Sequence, residues 1–233
     1  MTRPVALITG VGPGTGTALV ERFVEGGYRV AMMARSADRL QELEARYEHA
    51  HAVPCDVADS DALEAGVDRV EQGLGAVSVL VHNAVRGVRG DFQTVDPTLL
   101  ELAFRINVQA LLLLARRVAP AMIEAGQGAI IATGNTAAYR GKDFFAGFAP
   151  TKAAQRILLE SIARSAGPKG VHAAYVAIDA VIDLEWTRKR WPDEPDEFFC
   201  KPADIAAEVF HIAHQPKSAW TFDTVIRPFG ETW

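Results

Sequence analysis

Cysteine is nearly missing from the 233-residue chain: Cys55 and Cys200 are its two thiols. Two distant thiols give no disulfide framework and no metal-ligand spacing, so both are read as reduced thiols and no metal site is expected. A strong excess of either charge is also missing. Lys and Arg number 24 against 29 Asp and Glu, the net charge is −5, and no basic run stands out. Nucleic acid and anionic membranes both select a basic patch, so neither is expected as a partner. No unbroken apolar run approaches the ~18 residues of a spanning helix. The richest, ALLLLA at 110–115, soon meets Arg116 and Arg117 and reads as a buried helix face. MTRP at 1–4 runs straight into an apolar strand at 5–9, without the pattern of a signal peptide. The expectation is a soluble, cytoplasmic protein.

What is present is an ordinary globular composition, 49% hydrophobic and 23% charged, in a length suited to one α/β domain over 1–233. Short β-branched runs alternate with longer helical stretches, the pattern of βαβ units and a parallel sheet. Strands are expected over 5–9, 29–33, 51–54, 77–82, 129–133, 172–177 and 223–226, and helices over 16–25, 37–47, 61–73, 98–125, 150–165 and 203–213. Several strands are apolar without alternation, as when helices cover both faces of the sheet. The segment 183–201 (DLEWTRKRWPDEPDEFFCK) breaks the rhythm. It is read either as a lid or substrate loop, with Trp186 and Trp191 hinting at an aromatic-walled pocket, or as a solvated connection pinned by its aromatics.

Between the first strand and the first helix stand Thr9, Gly10, Val11, Gly12, Pro13, Gly14, Thr15 and Gly16. Glycines here let the backbone turn sharply and approach a pyrophosphate, whose charge sits on the helix N-terminus. Strand before and helix after supply the context that makes the pattern specific. The fold expected is a Rossmann-type doubly wound parallel sheet binding a nicotinamide dinucleotide. Arg35 follows the second strand where an NAD site places an acid, which favours the 2′-phosphate of NADP, with NAD as the alternative. Read blandly, Arg35 is an exposed charge at the entry to a helix.

These residues resemble the short-chain dehydrogenase/reductase family over nearly the whole length. Gly10, Gly14 and Gly16 are spaced like its TGxxxGxG. Asp56 and Val57 resemble its adenine-binding pair, and His82-Asn83-Ala84-Val85 its NNAG. Asn107 is similar to the helix asparagine that holds a water near the active site, and Lys152 to the lysine of YxxxK. The resemblance implies a small-molecule substrate and a homodimer or homotetramer built on 98–125 and 150–165. It also exposes departures. The family's tyrosine falls on Phe148, which has no proton to exchange, although positions 148 and 152 share a helix face. The family's serine falls on Asn135, which could donate an amide to a carbonyl oxygen, with Thr136 as the alternative register. The Pro-Gly that lines the nicotinamide is replaced by IDAVID at 178–183, which includes Val181.

A replacement proton donor would have to reach the substrate within ~3 Å or through one water. Lys152 is one candidate, if burial lowers its pKa, against its role in bonding the nicotinamide ribose. Tyr139, Asp143 and Asp183 are others, and His82 is expected to pack under the adenosine side. Two functions remain open: an NAD(P)-dependent oxidoreductase with an atypical FxxxK site, acting on a small carbonyl, alcohol or activated double bond, or a catalytically inactive NAD(P)-binding sensor or assembly module.

Overall fold

The computed structural model describes residues 3–231. In chain order the elements are β1 (Val5–Thr9), α1 (Thr15–Glu25), β2 (Arg29–Ala34), α2 (Ala37–Arg46), β3 (Ala50–Pro54), α3 (Ser60–Leu74), β4 (Val77–His82), α4 (Pro97–Phe104), α5 (Ala110–Glu124), β5 (Gly128–Gly134), α6 (Ala149–Ala166), β6 (Val171–Ile178), β7 (Val181–Ile182), α7 (Glu185–Arg190), β8 (Phe199–Cys200), α8 (Pro202–Ala213) and β9 (Asp223–Ile226). Seven strands form one parallel sheet in the order β3-β2-β1-β4-β5-β6-β9. The chain reverses its direction of travel across the sheet between β1 and β4, and a doubly wound sheet opens a ligand crevice at the strand C-termini there.

Both sheet faces are covered. On one, Leu63, Val67 and Val70 of α3, Leu111, Leu114 and Val118 of α5 and Leu159 of α6 pack against β-strand residues such as Leu7 and Leu80. On the other, Leu19, Val20 and Phe23 of α1, Leu40 of α2 and Val209 and Ile212 of α8 pack against Ile8 and Val81. Every residue of β6 is buried, which is why its sequence shows no polar alternation.

Two expectations about elements need correcting. The helix expected over 98–125 contains a π turn, Arg105–Gln109, between α4 and α5. Asp96 caps its start by accepting from Thr98 N–H, with Pro97 in the first turn. The helical run Pro97–Glu124 also has a mean hydropathy of 1.5 over its most apolar 18 residues, enough by length and composition alone to cross a membrane. Its Leu111, Leu114, Ala115, Val118 and Met122 face the protein core instead. The segment 183–201 is also more regular than its composition suggests. β7 pairs in parallel with β8, and α7 lies between them. Arg188 clamps the segment by bonding Asp183 at 2.7 and 2.8 Å and Asp196 at 2.6 Å, with its guanidinium 3.9 Å from the Phe199 ring centroid.

Candidate active site

The turn after β1 tolerates only glycine at two points. Gly10 has φ +71°, and a Cβ on it would lie 2.5 Å from the backbone of Ala84. A Cβ on Gly16 would lie 2.5 Å from the Gly10 carbonyl oxygen. Asn83 holds the turn from β4: its Nδ2 donates to Gly10 O at 2.9 Å, and its Oδ1 accepts from Thr133 Oγ1 at 2.8 Å. The turn delivers the chain to α1, which has neither a side-chain cap nor an acid in its first turn. The Thr17 N–H is taken by Gly12 O at 3.0 Å, and the other first-turn N–H groups and the positive dipole end are open to an anion. The Thr15 hydroxyl is buried there without a hydrogen-bond partner among the described residues. These features fit the pyrophosphate of a dinucleotide. Gly12 is half-buried, Pro13 exposed, and Gly14 buried beneath the Leu184 side chain.

Along the same edge, Arg35 is exposed just past β2 and before Ser36, which caps α2. Asp56 is exposed after β3, accepting from Ala58 N–H at 3.0 Å, and Val57 packs on the core. Ala84 is buried, its N–H donating to Thr9 Oγ1 at 3.4 Å. Val181 lies half-buried in β7, paired with Phe199.

At the end of β4, beside the cradle, the fully buried His82 bridges two elements. Its Nε2 lies 3.0 Å from Ile106 O and its Nδ1 3.0 Å from Thr9 Oγ1. A carbonyl only accepts, so Nε2 carries the proton and Nδ1 accepts from the threonine. Burial, reinforced by the nearby Lys152 charge, pushes the His82 pKa down to about 3. The ring is a neutral strut between Thr9 at the end of β1 and the π turn.

Asn107 is buried in the π turn with its side chain fully committed. Its Oδ1 accepts from Arg86 N–H at 2.8 Å, and its Nδ2 donates to Arg86 O at 3.1 Å and Thr151 Oγ1 at 2.8 Å. Lys152 is 2% exposed; its Nζ donates to Gln155 Oε1 at 2.8 Å and Thr133 O at 3.3 Å. Burial lowers its pKa to about 7. Phe148, at the N-terminus of α6, sets its ring 5.9 Å from that nitrogen and edge-on to Phe145, with 5.7 Å between centroids.

Asn135 sits at the end of β5, its Oδ1 accepting from Ala137 N–H at 2.8 Å and its Nδ2 donating to Ile178 O at 3.1 Å. The buried Thr136 hydroxyl donates to Asp179 at 2.5 Å. Of the other candidates, Tyr139 donates to Asp223, and burial followed by that carboxylate raises its pKa. Asp183 is ion-paired to Arg188, which holds its pKa below the usual value. Asp143 is exposed and accepts from Phe144 N–H at 2.8 Å. None of these three bonds Lys152 among the described residues. Sequence reasoning misses Gln155, which bridges Lys152 and Asn107; its signal is a polar residue at i+3 from the lysine, on the same helix face.

A crystallised metagenomic short-chain oxidoreductase in complex with NADP superposes with TM-score 0.85 at 28% identity, over 99% of both chains. An alcohol dehydrogenase from the archaeon Thermococcus sibiricus, complexed with 5-hydroxy-NADP, shares the fold with TM-score 0.86 at 24% identity, over 98% of both chains. Among curated proteins, 2-(R)-hydroxypropyl-CoM dehydrogenase of Xanthobacter autotrophicus is 29% identical over 82% of this chain and 79% of its own length. The short chain dehydrogenase family model matches residues 4–194. With cradle, sheet order and buried lysine all in place, the chain belongs to the short-chain dehydrogenase family.

Proposed function

We propose that the protein is an NADP-dependent oxidoreductase that works without the phenolic acid/base found at position 148 in the family pattern. The observation that carries this reading is the glycine-only turn opening on an uncapped helix end beside an unpartnered Thr15 hydroxyl. Gly10, Gly12, Pro13, Gly14, Thr15 and Gly16 hold the pyrophosphate, Arg35 the 2′-phosphate, and Asp56, Val57, Asn83 and Ala84 border the adenosine half. Lys152 bonds the nicotinamide ribose, and Val181 borders the carboxamide. The bound dinucleotide supplies or accepts the hydride.

Phe148 gives the substrate an apolar wall and no proton, and Asn107 and Asn135 hold the surrounding backbone. The favoured substrate is a small molecule whose reduction depends little on a protein acid, such as a conjugated enone or an already protonated imine. Simple ketones react slowly, because a positioned acid contributes about 10²–10⁴-fold in rate. The exposed apolar residues Phe104, Leu112 and Ile157 on α4, α5 and α6 support a homodimer or homotetramer.

NADPH oxidation across ketone, imine and enone panels tests the reading. The wild type is expected to turn over on an imine or enone, and Phe148→Tyr to raise ketone reduction by about 10²–10⁴-fold. No oxidation by either protein would contradict it. A second reading, a cofactor-binding sensor or assembly module, is favoured by the commitment of the Asn135 and Thr136 side chains to neighbouring structure. It predicts intact NADPH binding with no gain from Phe148→Tyr.

A further inference from the structure

Lys152, Gln155, Asn107 and His82 form a polar cluster where α6, the π turn and β4 meet, each at most 2% exposed. A π turn disturbs the helical ladder and leaves backbone groups needing outside partners. Here the Asn107 carbonyl accepts from Gln155 Nε2 at 2.7 Å. Since that carbonyl only accepts, the amide orientation is settled, and Oε1 must face the other way. It faces Lys152 Nζ at 2.8 Å. One side chain thus satisfies a carbonyl of the π turn and holds the end of the lysine.

The geometry points to Gln155 as the positioning residue for Lys152, its amide spanning from the lysine nitrogen to the Asn107 carbonyl and fixing where that lysine can reach. The Asn107 resemblance implies a water at this asparagine; the Gln155 amide instead makes the direct link between its carbonyl and the lysine. An amide passes no proton as a water would. The groups facing Lys152 are the neutral His82 from β4, the Thr133 carbonyl from β5, the Phe148 ring from α6 and the Gln155 oxygen. No carboxylate bonds it among the described residues. Burial therefore acts unopposed, in line with a lysine pKa lowered to about 7. The inference is independent of hydride transfer, because it concerns groups already in contact.

Nuclear magnetic resonance of the full chain tests it, with labelled lysine Cε and glutamine side-chain amides and with Lys152→Met to assign the lysine signal. In the wild type, the Gln155 amide resonance should shift with the same midpoint as Lys152, near neutral pH. In Gln155→Glu, a carboxylate beside the lysine should raise the Lys152 midpoint by about 1–3 pH units. A Gln155 signal unmoved through the Lys152 titration overturns the proposal. So does an unchanged Lys152 midpoint in a Gln155→Glu protein that melts like the wild type. If Gln155→Glu does not fold, the wild-type co-titration decides alone.

Discussion

At the end of β4, a histidine sealed from water keeps its proton on the nitrogen that faces a carbonyl, and its other nitrogen accepts from a threonine. Adding a proton would put a charge beside Lys152 and remove the acceptor Thr9 uses. The folded pKa, about 3, lies below the unfolded value of 6.5. The contribution of His82 is thus fully present above pH 6.5 and is lost as pH falls toward 3. Urea unfolding between pH 7 and pH 4 should show the wild type losing stability more steeply than His82→Asn; equal slopes would refute this account. Lys152 acts over a different window. Its folded pKa near 7 lies below the unfolded 10.5, so the cost of burying its charge is full below pH 7 and fades toward pH 10.5. The pairing of positions 148 and 152 was legible in the sequence because helical spacing alone sets it. The partner of Lys152 was less legible, since the need for Gln155 arises only when the π turn presents the Asn107 carbonyl to α6.

The turn between β1 and α1 distinguishes two kinds of glycine. A methyl at Gly10 meets the Ala84 backbone and imposes a positive φ on an L residue, and neither obstacle can move aside. At Gly14 the obstacle is the far end of the Leu184 side chain, which can rotate away. Gly10→Ala should therefore cost about 2 kcal/mol or more of folding stability. Gly14→Ala should cost well under half as much while weakening NADPH binding, because the pyrophosphate is proposed to share that surface. Chemical denaturation of both variants checks the order, and equal losses would contradict it. The parallel strands were legible from their apolar runs, since burial on both faces removes alternation. The π turn was not, because a five-residue bulge barely disturbs an apolar period. β7 and β8 were hidden for another reason: two-residue strands carry no period, and the Arg188 clamp that holds their segment joins residues on separate turns.

Across the whole molecule, the sheet brings the cradle after β1, Arg35 after β2 and Lys152 beyond β5 to the C-terminal ends of the strands. The reversal between β1 and β4 opens the crevice in which one extended ligand is proposed to reach all three. The outer faces of α5 and α6, with Leu112 40% exposed and Ile157 58% exposed, are the proposed surface for a second copy. Sedimentation should show a dimer or tetramer, and Ile157→Glu should shift it toward monomer; a wild-type monomer at all concentrations would remove that surface from the account. The central claim is that the chain has kept its dinucleotide site while Phe148 replaces the usual acid. Titration of NADPH and NADH against intrinsic tryptophan fluorescence tests it most directly. The account predicts saturable binding of both, about tenfold or more tighter for NADPH, with Arg35→Ala erasing that preference by removing roughly 1.4 kcal/mol. A flat response to both nucleotides from folded protein would contradict it.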